Sequence, residues 1–205
     1  MINELKAALA SRGIDLVHAA DGGEALRLIL ERIPRDATVM NGGSATLEEI
    51  SLLDALRDGP YKWLRPAIAA TNEREERTRR RRQATTAEWL VGGVNAITMA
   101  GEIVNVDGSG NRLAGYAFGA DKVILVAGMN KLVPDLAAAF ERIRNTAAVQ
   151  ECRKLDKRTP CAVTGRCDNH ACRGAERQCG KILIIENEKI AGRITVMMID
   201  APLGF

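Results

Sequence analysis

Four cysteines lie within nineteen residues: Cys161, Cys167, Cys172 and Cys179, in the segment CAVTGRCDNHACRGAERQC. Cys152 stands just upstream, and the first 151 residues contain none. Thiols gathered in a short polar loop hold a metal or form disulfides. The first residues, MINELKAALASRGIDLV, carry Glu4, Lys6, Arg12 and Asp15 and do not read as a secretory signal. The expected compartment is the cytoplasm, where thiols stay reduced, and an odd cysteine count fits that better than a disulfide framework. Metal ligation by Cys161, Cys167, Cys172 and Cys179 is therefore the first expectation. Zinc there would be structural; an iron–sulfur cluster would imply electron transfer or sensing. The spacing C-x5-C-x4-C-x6-C is wider than the C-x2-C knuckles of zinc ribbons and bacterial ferredoxins, so free thiols are the alternative. His170 lies inside the loop and could replace a sulfur. His18 reads as structural, at the end of a strand.

Three glycine-bearing loops carry the remaining chemistry. The first is Gly42-Gly43-Ser44-Ala45-Thr46, between a strand and a helix. Its glycines let the backbone approach a ligand, and Ser44 and Thr46 add hydroxyls, which suits a phosphate or carboxylate. The alternative is a turn that Ser44 caps. The second is Asp107-Gly108-Ser109-Gly110-Asn111-Arg112, where Asp107 is an acid/base candidate and Arg112 could pair with an anion. A plain Asx turn is its alternative. The third ends an apolar run with Asn130 and Lys131. A lysine just past the carboxyl end of a buried strand can reach the same crevice; an exposed loop lysine is the alternative.

These loops must be positioned by alternating strands and helices. Helical spacing marks 2–12, 21–33, 45–59, 66–87 and 134–148. Strands are expected at 14–19, 37–41, 89–98, 102–107, 122–128, 181–186 and 193–200, with a hairpin at Met99-Ala100-Gly101. This alternation implies an α/β fold, a three-layer arrangement with a mainly parallel sheet and helices on both faces. In such sheets ligands bind at the carboxyl ends of strands. A chain of 205 residues fits a single domain over 1–205, with a Cys-rich loop at 152–180.

The net charge is +3, and EREERTRRRR (73–82) accounts for all of it with six arginines and three glutamates. Glu73–Arg77, Glu75–Arg79 and Glu76–Arg80 are i,i+4 pairs in the favourable order, so this segment reads as a solvated helix face. An anion-binding or docking role for Arg79–Arg82 is the lesser reading. A charge-balanced body with 3% aromatic residues does not describe a nucleic-acid binder. No stretch approaches the ~18 apolar residues of a membrane span.

The segments GGSAT (42–46), VNAIT (94–98), GEIVNVDGSGNR (101–112), FGADKVILVAGMNK (118–131), ERIR (141–144) and the cysteine-bearing stretch from Pro160 to Cys167 occur in an order that resembles the LUD-domain family, named for lactate utilisation. The resemblance runs from about residue 37 to the end. It implies the fold shared by glucosamine-phosphate deaminase (NagB), ribose-phosphate isomerase (RpiA) and CoA transferases, in which a loop like Gly42–Thr46 binds a sugar phosphate. GVNAITMAGEIVN (93–105) is also similar to a segment of methylthioribose-phosphate isomerases. There the matching residue is a catalytic aspartate; here it is Asn95, which cannot shuttle a proton as a carboxylate does, and this argues against simple sugar-phosphate isomerisation.

Three functional expectations follow. The resemblance implies an accessory component of the oxidation of L-lactate, or a related hydroxy acid, to pyruvate, with iron–sulfur redox subunits as partners. The strand-end loops imply an enzyme or binding protein for a small anionic ligand, phosphorylated or CoA-linked. A non-catalytic scaffold, with the Arg-rich helix and the cysteine loop as interfaces of a homo-oligomer, is the third.

Overall fold

The run KVILVAG is apolar at every position after its lysine, a pattern that needs cover on both faces. A computed structural model of the protein, which describes residues 1–205, places it in the middle of a six-stranded parallel sheet. The strands of the chain are β1 (Asp15–Ala19), β2 (Thr38–Asn41), β3 (Lys62–Trp63), β4 (Trp89–Gly93), β5 (Ala96–Thr98), β6 (Ile103–Asp107), β7 (Lys122–Gly128), β8 (Leu132–Val133), β9 (Lys181–Ile185) and β10 (Ile194–Ile199). The large sheet has the order β1-β10-β7-β4-β2-β3. Its register pairs Leu16 with Val196, Val196 with Leu125, and Val91 with Ile124. A four-stranded sheet, β8-β5-β6-β9, lies beside it, with β5 and β6 joined by the expected hairpin.

The helices are α1 (Ile2–Ser11), α2 (Gly22–Arg32), α3 (Ala45–Glu49), α4 (Leu52–Asp58), α5 (Leu64–Ala69), α6 (Arg74–Gln83), α7 (Asn111–Ala114), α8 (Leu136–Arg142), α9 (Ala148–Lys154) and α10 (Pro160–Thr164). Alternate residues of β7 serve two cores, as side chains on a strand must. Val123, Leu125 and Ala127 pack with Leu5 and Leu9 of α1, Ile68 of α5, Leu113 of α7 and Ile97 and Ile103 of the small sheet. Ile124 and Val126 pack with Ile29 of α2, Leu47 of α3 and Leu52 and Leu56 of α4. On the small sheet, Ala96, Val104 and Val106 meet Ala139 of α8. The expected three-layer α/β arrangement, a mainly parallel sheet with helices on both faces, is the observed one.

Several boundaries differ. The segment 89–98 is not one strand: β4 belongs to the large sheet and β5 to the small one, and the chain crosses between them at Val94-Asn95. The helix expected at 66–87 is divided into α5 and α6, and that at 45–59 into α3 and α4 around Ser51, whose φ is 58°. The helix expected at 134–148 runs further, through a π turn at Ile143–Ala147 into α9. β3 and β8, two residues each, are too short for an alternating pattern to register.

Candidate functional site

β2, β4 and β7 run parallel, so the turns that follow them emerge at one edge of the large sheet. The chain after β6 reaches the same place, and a cavity of about 350 Å3 opens between them. Gly42, Gly43, Ser44, Thr46, Asn95, Asp107, Gly108, Ser109, Asn111, Arg112 and Lys131 all line it. Two expected residues stand outside. Gly110, at φ 90°, donates its N–H to Asp107 Oδ1 at 2.6 Å and lies against the Lys181 side chain. Asn130 holds the C-terminal tail: its Nδ2 donates to the Gly204 carbonyl (3.1 Å), and its Oδ1 accepts from the Leu203 N–H (3.2 Å).

Ser44 caps α3, accepting from the Leu47 N–H at 3.4 Å, and lines the cavity as well. The two readings of that serine are thus compatible. The backbone is crowded here. A methyl group added at Gly42 would stand 2.5 Å from Cδ of Arg112; one added at Gly93 would stand 2.6 Å from Oγ of Ser44.

Arg112 and Asp107 face one another, with Nε 3.3 Å from Oδ2. Arg112 also donates to the carbonyls of Gly93 in β4 (2.9 Å) and Val106 in β6 (2.7 Å), and so ties the two sheets together. Its guanidinium lies 5.5 Å from the centre of the Tyr116 ring. Burial opposes its charge, but Tyr116 and Asp107 outweigh that and hold the pKa above the ordinary value. Asp107 accepts in addition from Ser109 Oγ and the Gly110 N–H. Its carboxylate is thus occupied by its own loop and by Arg112.

Lys131 is different. Its side chain is 2% exposed, and its amine donates to Thr46 Oγ1 at 2.6 Å. No carboxylate pairs with it. Arg142 lies nearby, donating to the carbonyls of Asn130 (2.9 Å) and Asn95 (2.6 Å). Burial disfavours the charged form, and Arg142 and Arg112 add repulsion, opposed only by Glu49. The amine is pulled down to about 7.

Arg65, Arg77 and Arg81 add cationic side chains to the lining. Arg65 donates to the Gly42 carbonyl at 2.9 Å. Arg81 donates to Ser109 Oγ (2.8 Å) and Asn111 Oδ1 (2.7 Å). The reading of α6 as a purely solvated face is corrected here. Glu73 caps the helix and does not bind Arg77, and Glu76 takes both Arg79 and Arg80, each at 2.7 Å. Those two arginines hold the Glu76 carboxyl down to about 2. Arg77 is left facing the cavity.

Glu151 of α9 also lines the cavity, and burial raises its carboxyl pKa. No motif pointed to it: AVQECRK is an ordinary amphipathic turn.

Cys152 and Cys161 pack with Val149 in a small apolar cluster, and Cys161 lies 3.3 Å from the Thr159 hydroxyl. Cys179 packs against the core of the small sheet and borders the cavity. Burial first, and then the neighbouring Cys179, Cys161 and Cys172, oppose ionisation of Cys167, so the loop thiols lie within electrostatic reach of one another. No group of three or more His, Cys, Asp or Glu side chains is arranged to hold a metal ion. All five cysteines are free thiols. His18 pairs with Asp200 at 2.9 Å, away from the cavity lining, and His170 is exposed.

Residues 2–199 match the LUD domain family. The chain belongs to that family. Its LUD domain resembles the crystal structure of a DUF162 family protein from Deinococcus radiodurans, with a TM-score of 0.52 and 12% identity over 98% of this chain and 95% of that one. At that identity the likeness shows the fold alone. Ribose 5-phosphate isomerase A from Neisseria gonorrhoeae aligns over 58% of this chain and 57% of that one, at 16% identity and a TM-score of 0.35. No curated protein matches this LUD domain. No helix of it is long and apolar enough to cross a membrane.

Proposed function

We propose that this LUD domain binds a small organic anion in the cavity at the carboxyl edge of its large sheet. The carrying observation is the charge of the lining. Arg112 and Asp107 offset each other, and burial pushes Lys131 and Glu151 toward their neutral forms, which leaves Arg65, Arg77 and Arg81 as the surplus charge. Surplus positive charge in a concave, partly dry site attracts an anion more strongly than the same charge on an open surface. A volume of about 350 Å3 lies at the small end of metabolite sites and suits a sugar phosphate or a short hydroxy acid. Coenzyme A would enter by its thioester end only. Within the cavity Lys131 and Glu151 are each shifted toward neutrality by burial, and groups so shifted can serve proton transfer. Asp107 is the weaker candidate, because Arg112 and its own loop occupy it.

Family membership favours a second reading of the same site: a role beside iron–sulfur redox subunits in the oxidation of L-lactate, or a related hydroxy acid, to pyruvate. The anion would then be the hydroxy acid.

Thermal unfolding with inorganic phosphate, ribose 5-phosphate, coenzyme A, L-lactate and pyruvate tests both. At least one should raise the midpoint by several degrees. The Arg77→Met/Arg81→Met variant should lose most of that rise. Equal stabilisation of both proteins, or none by any anion, would defeat the cavity reading. A response to L-lactate and not to the phosphates would select the second.

A further inference from the structure

We propose that Lys131 is a nucleophile that condenses reversibly with the carbonyl of a small anionic aldehyde or 2-oxo acid. This rests on the cavity's taking a small organic anion, and adds a covalent step to it.

The geometry is that of an amine held for reaction. Lys131 lies in the tight turn that ends β7, so a rigid central strand sets its position. Its side chain is buried, it borders the cavity, and a neutral hydroxyl is its hydrogen-bond partner. A buried ammonium without a counter-ion is costly, so the site favours the free base, whose lone pair is the reactive form. A structural lysine would normally bring a carboxylate or carbonyl cage; Thr46 supplies neither. The space beside Nζ is bounded by glycines: methyl groups added at Gly93 and Gly204 would stand 3.9 and 3.4 Å from it. The Ser44 and Thr46 hydroxyls share that space, each within 2.6 Å of one of the same two methyl positions, so the groups around the amine are small and polar. Arg77 and Arg81 line the same cavity and can hold the carboxylate or phosphate of the same molecule.

The step balances without an added redox partner. The Nζ lone pair forms the C–N bond, and the carbonyl π electrons move to oxygen. The two Nζ protons leave with that oxygen as water, so amine plus carbonyl yields imine and one water. Protonation of the imine nitrogen then makes the neighbouring carbon acidic.

The test is reductive trapping. The native protein is incubated separately with pyruvate, glyoxylate and glyceraldehyde 3-phosphate, together with cyanoborohydride, and the adducts are mapped by peptide mass spectrometry. With at least one carbonyl compound, a single early adduct is expected on Lys131, and none at that position in Lys131→Arg. The rate should rise through about pH 7 and level off, following the amine of Lys131. Exposed Lys154, paired with Glu48 outside the cavity, is the reference and should be labelled more slowly. Mapping on the native chain decides the matter even if Lys131→Arg fails to fold. No adduct at Lys131 with any of the three, or labelling no faster than at Lys154, overturns the proposal. Phosphate and L-lactate, which lack the carbonyl, separate the two ideas: stabilisation by them without an adduct sinks the imine alone, and failure of both sinks the anion site as well.

Discussion

Lys131 carries a pH dependence of known sign. Its folded pKa, about 7, is below the ordinary lysine value of 10.5, so between these the unfolded chain binds more protons. Stability must therefore rise with pH across that window, by up to roughly 1.4 kcal/mol per pH unit. Below it both states are protonated and the full penalty of burying the charge is present. Lys131→Met removes the penalty. The variant should gain several kcal/mol over the natural chain at pH 6 and a smaller amount at pH 9, by urea unfolding. A gain independent of pH would show that the amine is not desolvated as described. Residues of this kind were partly legible: a lysine after a buried strand was a sensible candidate from its position. Its lack of a carboxylate partner was not, because that depends on which side chains other loops bring. Glu151 was invisible for the same reason.

At the scale of elements, the apolar run of β7 and the glycine turns after β2 and β6 could be read directly, since each has a local signature. The crossing at Val94-Asn95 could not. WLVGGVNAIT is uniformly strand-like, and nothing within it marks the point where the partners change. Asn95 marks it in the structure, with Oδ1 accepting the Val106 N–H at 2.9 Å. Helix α6 misled in another way. Helix-internal ion pairs are predictable from spacing, but a cap can outcompete one, and Glu73 went to the cap. The concentration of thiols in the cysteine loop could be read directly, but not its packing, which sets Cys161 beside Cys152 and Cys179 against the small sheet. That packing makes a prediction. Burial raises the thiol pKa of Cys167 and Cys172, so both should react slowly with a disulfide reagent at pH 7 and faster as pH rises. Cys152 and Cys161 should react only on unfolding. Rapid modification of all five at neutral pH in the native state would contradict this arrangement.

At the scale of the molecule, the segment between β6 and β7 is fastened to the large sheet by a buried ion pair. Arg193 binds Glu188 at 2.6 Å, and its guanidinium also donates to the carbonyls of Gly115, Tyr116 and Ala120. Removing one member of such a pair strands the other charge and several carbonyls. Arg193→Met should cost about 3–5 kcal/mol in denaturant unfolding. Adding Glu188→Gln should cost little more, since the stranded carboxylate is then gone. Full additivity would mean that the pair acts as two separate contacts.

Arg112 performs a similar service nearer the cavity, with one guanidinium bridging Gly93 and Val106 on different sheets. An experimenter who replaces Arg112 and sees ligand affinity vanish will have loosened the joint that shapes the chamber. The result would be silent on whether a ligand ever touches that guanidinium. Arg77, which fastens nothing, is the cation whose loss can be read as recognition.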